Sequence, residues 1–225
     1  MIRIVIVDDE EVVRTGLRTI LGAGDDIKVV GEAGSGEEAL ELVTAQAPDG
    51  VVLDLAMPGA MDGAETARLL RESHPDLGIL ILTALADEEH VARVWRAGAD
   101  GYLLKTASGE QMRAAVHSAV EHRAVLSPAV ISAVMDRFAS HHHPAGGPRL
   151  VEQIKSLAPM ELRCVLAVAE GLGNAEIAAR LRLAEGTVKS HVSRALRKFG
   201  LDNRTQLALL VNDQRGLFLR ALNDH

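Results

Sequence analysis

Two periods of hydrophobic positions alternate along the first 125 or so residues. Short β-rich runs, "IRIVIV", "KVVGEA", "GVVLDL", "LGILILT" and "GYLLK", stand apart. Between them run "EEVVRTGLRTIL", "GEEALELVTAQ", "GAETARLLRES", "EEHVARVWRAG" and "GEQMRAAVHSAVEH", whose apolar positions recur every three to four residues. Strand–helix alternation repeated in this way predicts a doubly wound, five-stranded parallel sheet, because parallel strands need crossover helices that cover both faces. Ser35–Glu38, Asp62–Glu65 and Ser108–Gln111 have the spacing of capping boxes at helix starts.

Ser127-Pro128 opens a further short helix to Phe138, with Ser as cap and Pro at the first helical position. "ASHHHPAGGPR" follows and reads as a linker from its Gly, Pro and Ser. Its histidines, His141 to His143, belong to a solvated tether rather than to a metal site. From Leu157 onward only the helical period remains. Four helices are expected: "PMELRCVLAVAEG", closed by Gly171; "NAEIAARLRL", with Asn174 at its cap; "EGTVKSHVSRALRKFG", closed by Gly200; and "NRTQLALLVNDQR". The expected division is an α/β domain over 1–123, a linker with a short helix over 124–149, a four-helix domain over 150–215 and a C-terminal tail over 216–225.

A length of 225 residues suits two domains, and 48% apolar residues suffice for two cores. Aromatics are only 2%, so Leu, Val, Ile and Ala must fill those cores. No apolar run approaches the roughly 18 residues of a membrane helix. The start "MIRIVIVDDE" turns acidic too soon for a signal peptide. A cytoplasmic protein without a membrane partner is expected. The single cysteine, Cys164, lies in a helical pattern as a small buried residue rather than a nucleophile. The net charge of −7 is unevenly spread. From Pro148 on there are 12 Lys and Arg against 8 Asp and Glu; before it there are 12 against 23. An acidic half is joined to a mildly basic one.

In a doubly wound sheet, ligands bind beyond the carboxyl ends of the strands where the strand order reverses. Asp8 and Asp9, Asp54, Thr83 and Lys105 stand at those ends. Each alone has an ordinary reading: a turn acid, a helix cap, a strand residue, a solvated charge. Together they form one crevice. The turn after the first strand is "DDEE", not the glycine-rich turn a dinucleotide needs, and there is no P-loop lysine motif. Clustered carboxylates repel one another and favour a cation, and Mg²⁺ suits such an oxygen site. Asp54 is then a candidate nucleophile forming an aspartyl phosphate. Lys105 would neutralise phosphoryl charge, and Thr83 would hydrogen-bond a phosphoryl oxygen.

"VDDEE", "LDLAMPG", "ILTA" and "GYLLK" make residues 1 to about 122 similar to a response-regulator receiver domain, with a flavodoxin-like fold. The resemblance implies phosphoryl transfer from a sensor histidine kinase to Asp54. It implies Mg²⁺ held by Asp9, Asp54 and the carbonyl of Ala56, with Asp8 acting mostly through water. It also implies that Tyr102 is the aromatic switch residue that turns inward as Thr83 moves; read alone, Tyr102 is a half-exposed strand aromatic. One departure is an apparent extra residue, Ala60, in "MPGAMDG".

In "TVKSHVSRALRKF", Val188, Val192, Ala195, Leu196 and Phe199 share one helical face, and small polar and basic residues share the other. A short preceding helix and a tight turn complete the plan of a helix-turn-helix, whose second helix enters the DNA major groove. The bland alternative is a surface helix with a solvated basic face. "NAEIAARL", "EGTVKSHV" and "LRKFGLDNRTQ" resemble the LuxR-type DNA-binding domain. By that resemblance, base contacts fall on Lys189, Ser190 and Ser193, and phosphate contacts on Thr187, Arg194, Arg197 and Lys198. The helix from Asn203 to Asp213 would form a homodimer on double-stranded DNA. Ala158 and Ala184 replace the Thr and Ser caps of the family, at a cost of ~1 kcal/mol each.

Receiver, linker helix and LuxR-type domain together resemble the NarL/FixJ family of response regulators. Phosphorylation-controlled, sequence-specific transcription regulation is the expectation. A DNA-binding regulator controlled without phosphate is the alternative, and the intact acidic pocket argues against it. An aspartyl-phosphate phosphatase would need a second Asp two residues after the nucleophile, where this chain has Ala56. Slow self-dephosphorylation is the only turnover expected.

Overall fold

The computed structural model describes residues 1–59, 61–84, 98–123, 125–126, 147–201 and 203–223. The helices expected over 88–97 and 128–138, the histidines 141–143 and Ala60 lie outside the described residues. The chain divides into two compact units, one α/β and one all-helical.

The α/β unit contains the five expected strands: β1 (Ile2–Val7), β2 (Ile27–Ala33), β3 (Gly50–Asp54), β4 (Gly78–Thr83) and β5 (Gly101–Leu104). All pair in parallel in the order β2-β1-β3-β4-β5, and a two-residue β6 (Val125–Leu126) extends the edge beside β5. The described helices are α1 (Glu11–Leu21), α2 (Gly36–Gln46), α3 (Gly63–Ser73) and α4 (Gly109–Val120). Every residue of β3 and β4 is buried, as their uninterrupted apolar sequences require of central parallel strands. Ile4, Ile6, Val52, Leu80 and Leu82 face α1 and α4, where Leu17, Leu21, Met112 and Val116 close the layer. The alternate positions Val5, Val7, Val51, Leu53, Ile79 and Ile81 are buried on the opposite face, against which α2 and α3 pack. The C-terminal turn of α4 crosses the start of β4 so closely that a Cβ on Gly78 would lie 2.8 Å from backbone atoms of Ala119 and Val120.

Of the three capping patterns, Ser108–Gln111 forms the reciprocal box: Gln111 N–H donates to Ser108 Oγ at 3.2 Å, and Ser108 N–H to Gln111 Oε1 at 2.9 Å. Ser35 and Asp62 accept from the N3 amide as expected. Their glutamates are used elsewhere: Glu38 accepts from Gly34 N–H, and Glu65 pairs with Arg68.

The helical unit consists, among the described residues, of α5 (Pro148–Lys155), α6 (Pro159–Ala169), α7 (Asn174–Leu181), α8 (Glu185–Phe199), α9 (Arg204–Asp213) and α10 (Arg215–Asn223). The expected four are α6 to α9; α5 and α10 are additions. Helix α5 starts at Pro148, in the stretch read as linker, and buries Leu150 and Ile154. The stretch read as a tail is largely helix α10. Its Leu217, Phe218, Ala221 and Leu222 recur at helical spacing and pack on the core; Phe218 is fully buried, its ring centroid 5.7 Å from that of Phe199. The cap of α7 is also displaced by one residue. Gly173 is the N-cap, its N–H donating to Glu176 Oε2 at 2.7 Å. Asn174 is instead the first helical residue, buried, and accepts a tertiary hydrogen bond from Arg204 at 2.7 Å. Among the described residues no helix is long and apolar enough to cross a membrane.

Neither Ala158 nor Ala184 supplies a side-chain cap, although Glu161 Oε2 accepts from Ala158 N–H at 3.0 Å. Restoring the hydroxyls by Ala158→Thr or Ala184→Ser should stabilise the helical unit by about 1 kcal/mol each, seen as a higher unfolding midpoint in thermal or urea melts.

Candidate phosphoryl-acceptor pocket and DNA-binding helix

From β1 the chain runs outward to β2 and returns to β3 on the opposite flank. The strand order therefore reverses between β1 and β3, which places Asp8, Asp9 and Asp54 side by side at the carboxyl edge. One oxygen from each of the three carboxylates lies within 4.8 Å of the others. Asp8 and Asp54 are 1% and 5% exposed, whereas Asp9 is exposed. Lys105, just after β5, places its Nζ 2.7 Å from Asp8 Oδ2 and 3.2 Å from Asp54 Oδ1. Its own N–H donates to Thr83 O at 2.7 Å, tying the ends of β4 and β5 together. Glu10 N–H donates to Asp8 Oδ1 at 3.0 Å.

Electrostatics follow from this crowding. Burial raises the pKa of Asp54; the Lys105 charge opposes the rise and the like charge of Asp8 adds to it. Burial works against the Lys105 ammonium, but hydrogen bonding to Asp8 and the charge of Asp54 outweigh it, so its pKa is raised. One ammonium faces three carboxylates, two of them buried. The donor set is hard oxygen, and a divalent cation among it would relieve both repulsion and desolvation. The residues fit such an ion. Ala56, whose carbonyl is the fourth expected ligand, is exposed at the rim. Thr83 and Tyr102 are 2% and 3% exposed, so the Tyr102 ring is buried rather than half-exposed.

The segment after Asp54 is held by close backbone contact. Leu55 and Met57 are buried, and Gly63 N–H donates to Leu55 O at 3.2 Å. A Cβ on Gly63 would stand 2.1 Å from Asp54 O, so the first residue of α3 must be glycine for the helix to rest on the peptide of Asp54. Asp62, not Asp54, caps this helix, accepting from Glu65 N–H at 2.9 Å.

In the helical unit, α7 ends at Arg182 in the left-handed conformation (φ 56°), and Leu183 and Ala184 lead directly into α8. Val188, Val192 and Ala195 are buried, with Leu196 and Phe199 packed beside them. Thr187, Ser190, Ser193, Arg194 and Arg197 are exposed, and Lys189 is half-buried. Ser190 Oγ donates to Gly186 O at 2.9 Å. Lys198 is placed differently from the rest: its Nζ is 2.6 Å from Glu161 Oε2 and donates to Ser156 O at 2.7 Å. Glu161 is 3% exposed, and Arg194 lies 3.9 Å from its other oxygen. Burial opposes the Glu161 charge, but Lys198, the Ala158 amide and Arg194 outweigh it and lower its pKa. Sequence reasoning missed this carboxylate; its N3 position after "LAP" was the available signal. Helix α9, capped by Asn203, buries Leu207, Leu210 and Val211 and leaves Ala208 and Leu209 half-covered.

Residues 4–117 match the response regulator receiver domain model, and residues 155–211 match that of bacterial regulatory proteins of the luxR family. The chain is 38% identical to the DNA-binding transcriptional activator DevR/DosR of Mycobacterium tuberculosis, covering 95% of each chain. It is 38% identical to the nitrate/nitrite response regulator NarL of Escherichia coli K12, covering 94% of this chain and 95% of that one. Among solved structures, response regulator ChrA of a heme-sensing two-component system aligns with a TM-score of 0.52 at 36% identity, covering 95% of this chain and 98% of that one. The chain belongs to the response regulators that join a receiver domain to a LuxR-type DNA-binding domain. It is a two-component transcription regulator.

The raised pKa of Asp54 has a thermodynamic consequence. A carboxyl group raised in the folded state stabilises the fold below its unfolded pKa, and this contribution is lost as pH rises through the folded value. Asp54→Asn, permanently neutral, should therefore raise the thermal midpoint of the metal-free receiver at pH 7. The difference from wild type should shrink as pH falls towards about 4. Calorimetric melts across that range provide the check.

Proposed function

We propose that Asp54 is the phosphoryl acceptor and that its state controls DNA binding. The observation that carries this reading is the Lys105 ammonium bridging Asp8 and Asp54 at the strand-order reversal. An Asp54 carboxylate oxygen attacks the phosphorus of a phosphohistidine on a sensor kinase; the N–P bond breaks as the O–P bond forms, and the histidine leaves. Lys105 stays within reach of the transferred oxygens and balances their charge. Thr83, at the end of β4, hydrogen-bonds a phosphoryl oxygen, and Tyr102, buried on β5 opposite Ile81, is the aromatic switch residue that responds as Thr83 moves. Asp9, Asp54 and the Ala56 carbonyl, with Asp8 through water, would hold Mg²⁺, which supplies further neutralisation of the phosphoryl oxygens. With Ala56 in place of an acid/base, turnover of outside substrates is not part of this reading.

Lys189, Ser190 and Ser193 read bases in the major groove, and Thr187, Arg194 and Arg197 take phosphates. Lys198 joins them only by exchanging Glu161 for a phosphate. Two copies meet through the helix from Asn203 to Asp213 when phosphorylated or on DNA. The receiver occupies 1–123, its sheet edge reaching Leu126, and the DNA-binding domain runs from Pro148 through α10. The protein works in the cytoplasm.

Incubation of the full chain with acetyl phosphate and Mg²⁺ should add roughly 80 Da, the mass of HPO₃, and shift it towards dimer. Asp54→Asn should show neither change. A wild type without the adduct overturns the phosphoryl reading in favour of control by other means. For DNA, Arg197→Gln should flatten the slope of log K against log salt by about 0.9, the loss of one phosphate contact. Lys198→Gln should leave the slope nearer that of wild type, because Glu161 already neutralises this ammonium. Binding titrations between 50 and 200 mM salt, a range of roughly that span being informative, check both.

A further inference from the structure

Asp8 and Asp54 are held by buried contacts, but Asp9 is not. Its side chain is exposed, and among the described residues no hydrogen bond or ion pair reaches its carboxylate. The aim of Asp9 therefore depends on its backbone, and β1 pairing ends at Val7. Beyond that point Asp8 N–H still donates to Ala33 O at 3.1 Å and Glu10 N–H to Asp8 Oδ1 at 3.0 Å, and one guanidinium adds to them. Arg14, on the second turn of α1, directs NH1 at the carbonyl of Asp8 at 2.7 Å and at the carbonyl of Asp9 at 3.3 Å. These two carbonyls belong to the peptides on either side of the Asp9 Cα, so a single nitrogen of the guanidinium reaches both. Glu32, on β2, holds that group from behind, its Oε2 3.7 Å from Arg14 Nε. Arg18 takes the other Glu32 oxygen at 2.9 Å and makes no contact with the acid pair. The Arg14 side chain is 18% exposed against 57% for Arg18.

We propose that Arg14 is a positioning residue for the cation site: it clamps the peptides flanking Asp9 and so keeps that carboxylate within ligand distance of Asp8 and Asp54. The proposal rests on the reading that the acidic cluster takes Mg²⁺. An exposed carboxylate that must be collected from many rotamers and a loose backbone binds a cation less well than one whose backbone is fixed in advance. Arg14 touches neither the cation nor the phosphoryl group. Its effect is on affinity for the ion, not on the chemistry once the ion is bound.

The test is a Mn²⁺ titration of the full-length chain, read from the free-ion EPR signal, with Mg²⁺ as competitor. Arg14→Met should weaken binding of both ions by about tenfold, in the range seen when groups supporting metal ligands are lost. Arg14→Lys, which keeps the positive charge on a shorter side chain, should recover part of the loss. Glu32→Gln should fall between wild type and Arg14→Met, and Arg18→Gln should bind within about twofold of wild type. Acetyl phosphate labelling of Arg14→Met should need more Mg²⁺ for half-maximal rate and approach the wild-type rate at saturation. A far-UV circular dichroism spectrum and a thermal midpoint of the α/β transition matching wild type report that the variant is folded. Equal ion affinity in wild type, Arg14→Met and Arg14→Lys overturns the clamp and leaves the cation reading standing. A wild type with no saturable binding overturns the cation reading and the clamp with it.

Discussion

The contact between Lys105 and the two buried carboxylates, Asp8 and Asp54, governs the rest of the α/β unit. Two carboxylates withdrawn from water at neighbouring strand ends are costly unless a cation meets them. Their ammonium comes from a third strand end, so the three groups coincide only if β1, β3, β4 and β5 pair in the observed order and register. The neutralisation is incomplete, because one lysine faces three acids. Burial raises the pKa of Asp54 and the like charge of Asp8 adds to it; the residual negative charge suits the pocket to a divalent cation.

Close backbone approach gives this charge cluster its rigidity. Gly63 lets the first turn of α3 rest on the peptide of Asp54, and Gly78 lets α4 rest on the start of β4. Asp62 caps α3 one residue before that contact, so the helix starts at the point where it touches the strand. A side chain at Gly63 would push α3 off Asp54 itself, and one at Gly78 would push α4 off the start of β4, whose far end carries Thr83. On the other side of the pocket, Arg14 and Glu32 bind the chain that leaves β1. Asp54 is thus held through its peptide as well as through the Lys105 contact to its side chain.

The helical unit solves a different problem, that of presenting one end of a helix while fixing the other. Three groups anchor the C-terminal end of α8: Gln153 Nε2 donates to the Lys198 carbonyl at 2.7 Å, Glu161 binds the Lys198 ammonium, and Phe218 meets Phe199. The N-terminal half bears exposed Thr187, Ser190 and Ser193, small residues that let a helix approach base edges closely. Glu161 serves both α6, whose first amide it accepts, and α8, whose lysine it holds. A single buried carboxylate thereby ties the orientation of α8 to the start of α6.

Periodicity and turn chemistry are local, and what depends on them was legible in the chain itself. The strand–helix alternation, the apolar face of α8, the cap at Asp62 and the strand-end positions of Asp8, Asp9, Asp54, Thr83 and Lys105 all follow from residue spacing within a few turns. Helix α10 is not legible locally because its stability comes from burying Phe218 against helices distant in sequence. Asn174 was read as a cap because its type favours that role, and the competing partner, Arg204, lies thirty residues away. The same holds for the Lys198–Glu161 pair and for the Arg14 clamp, in which a charged side chain's role is set by whichever group folding brings within about 3 Å. The chain by itself determined which residues stand at the edge of the sheet and on the outer face of the helix. Only the tertiary structure decided which of those charges are already neutralised by a neighbour and which are held ready for a ligand, because a charge's availability depends on distance and burial rather than on its place in the sequence.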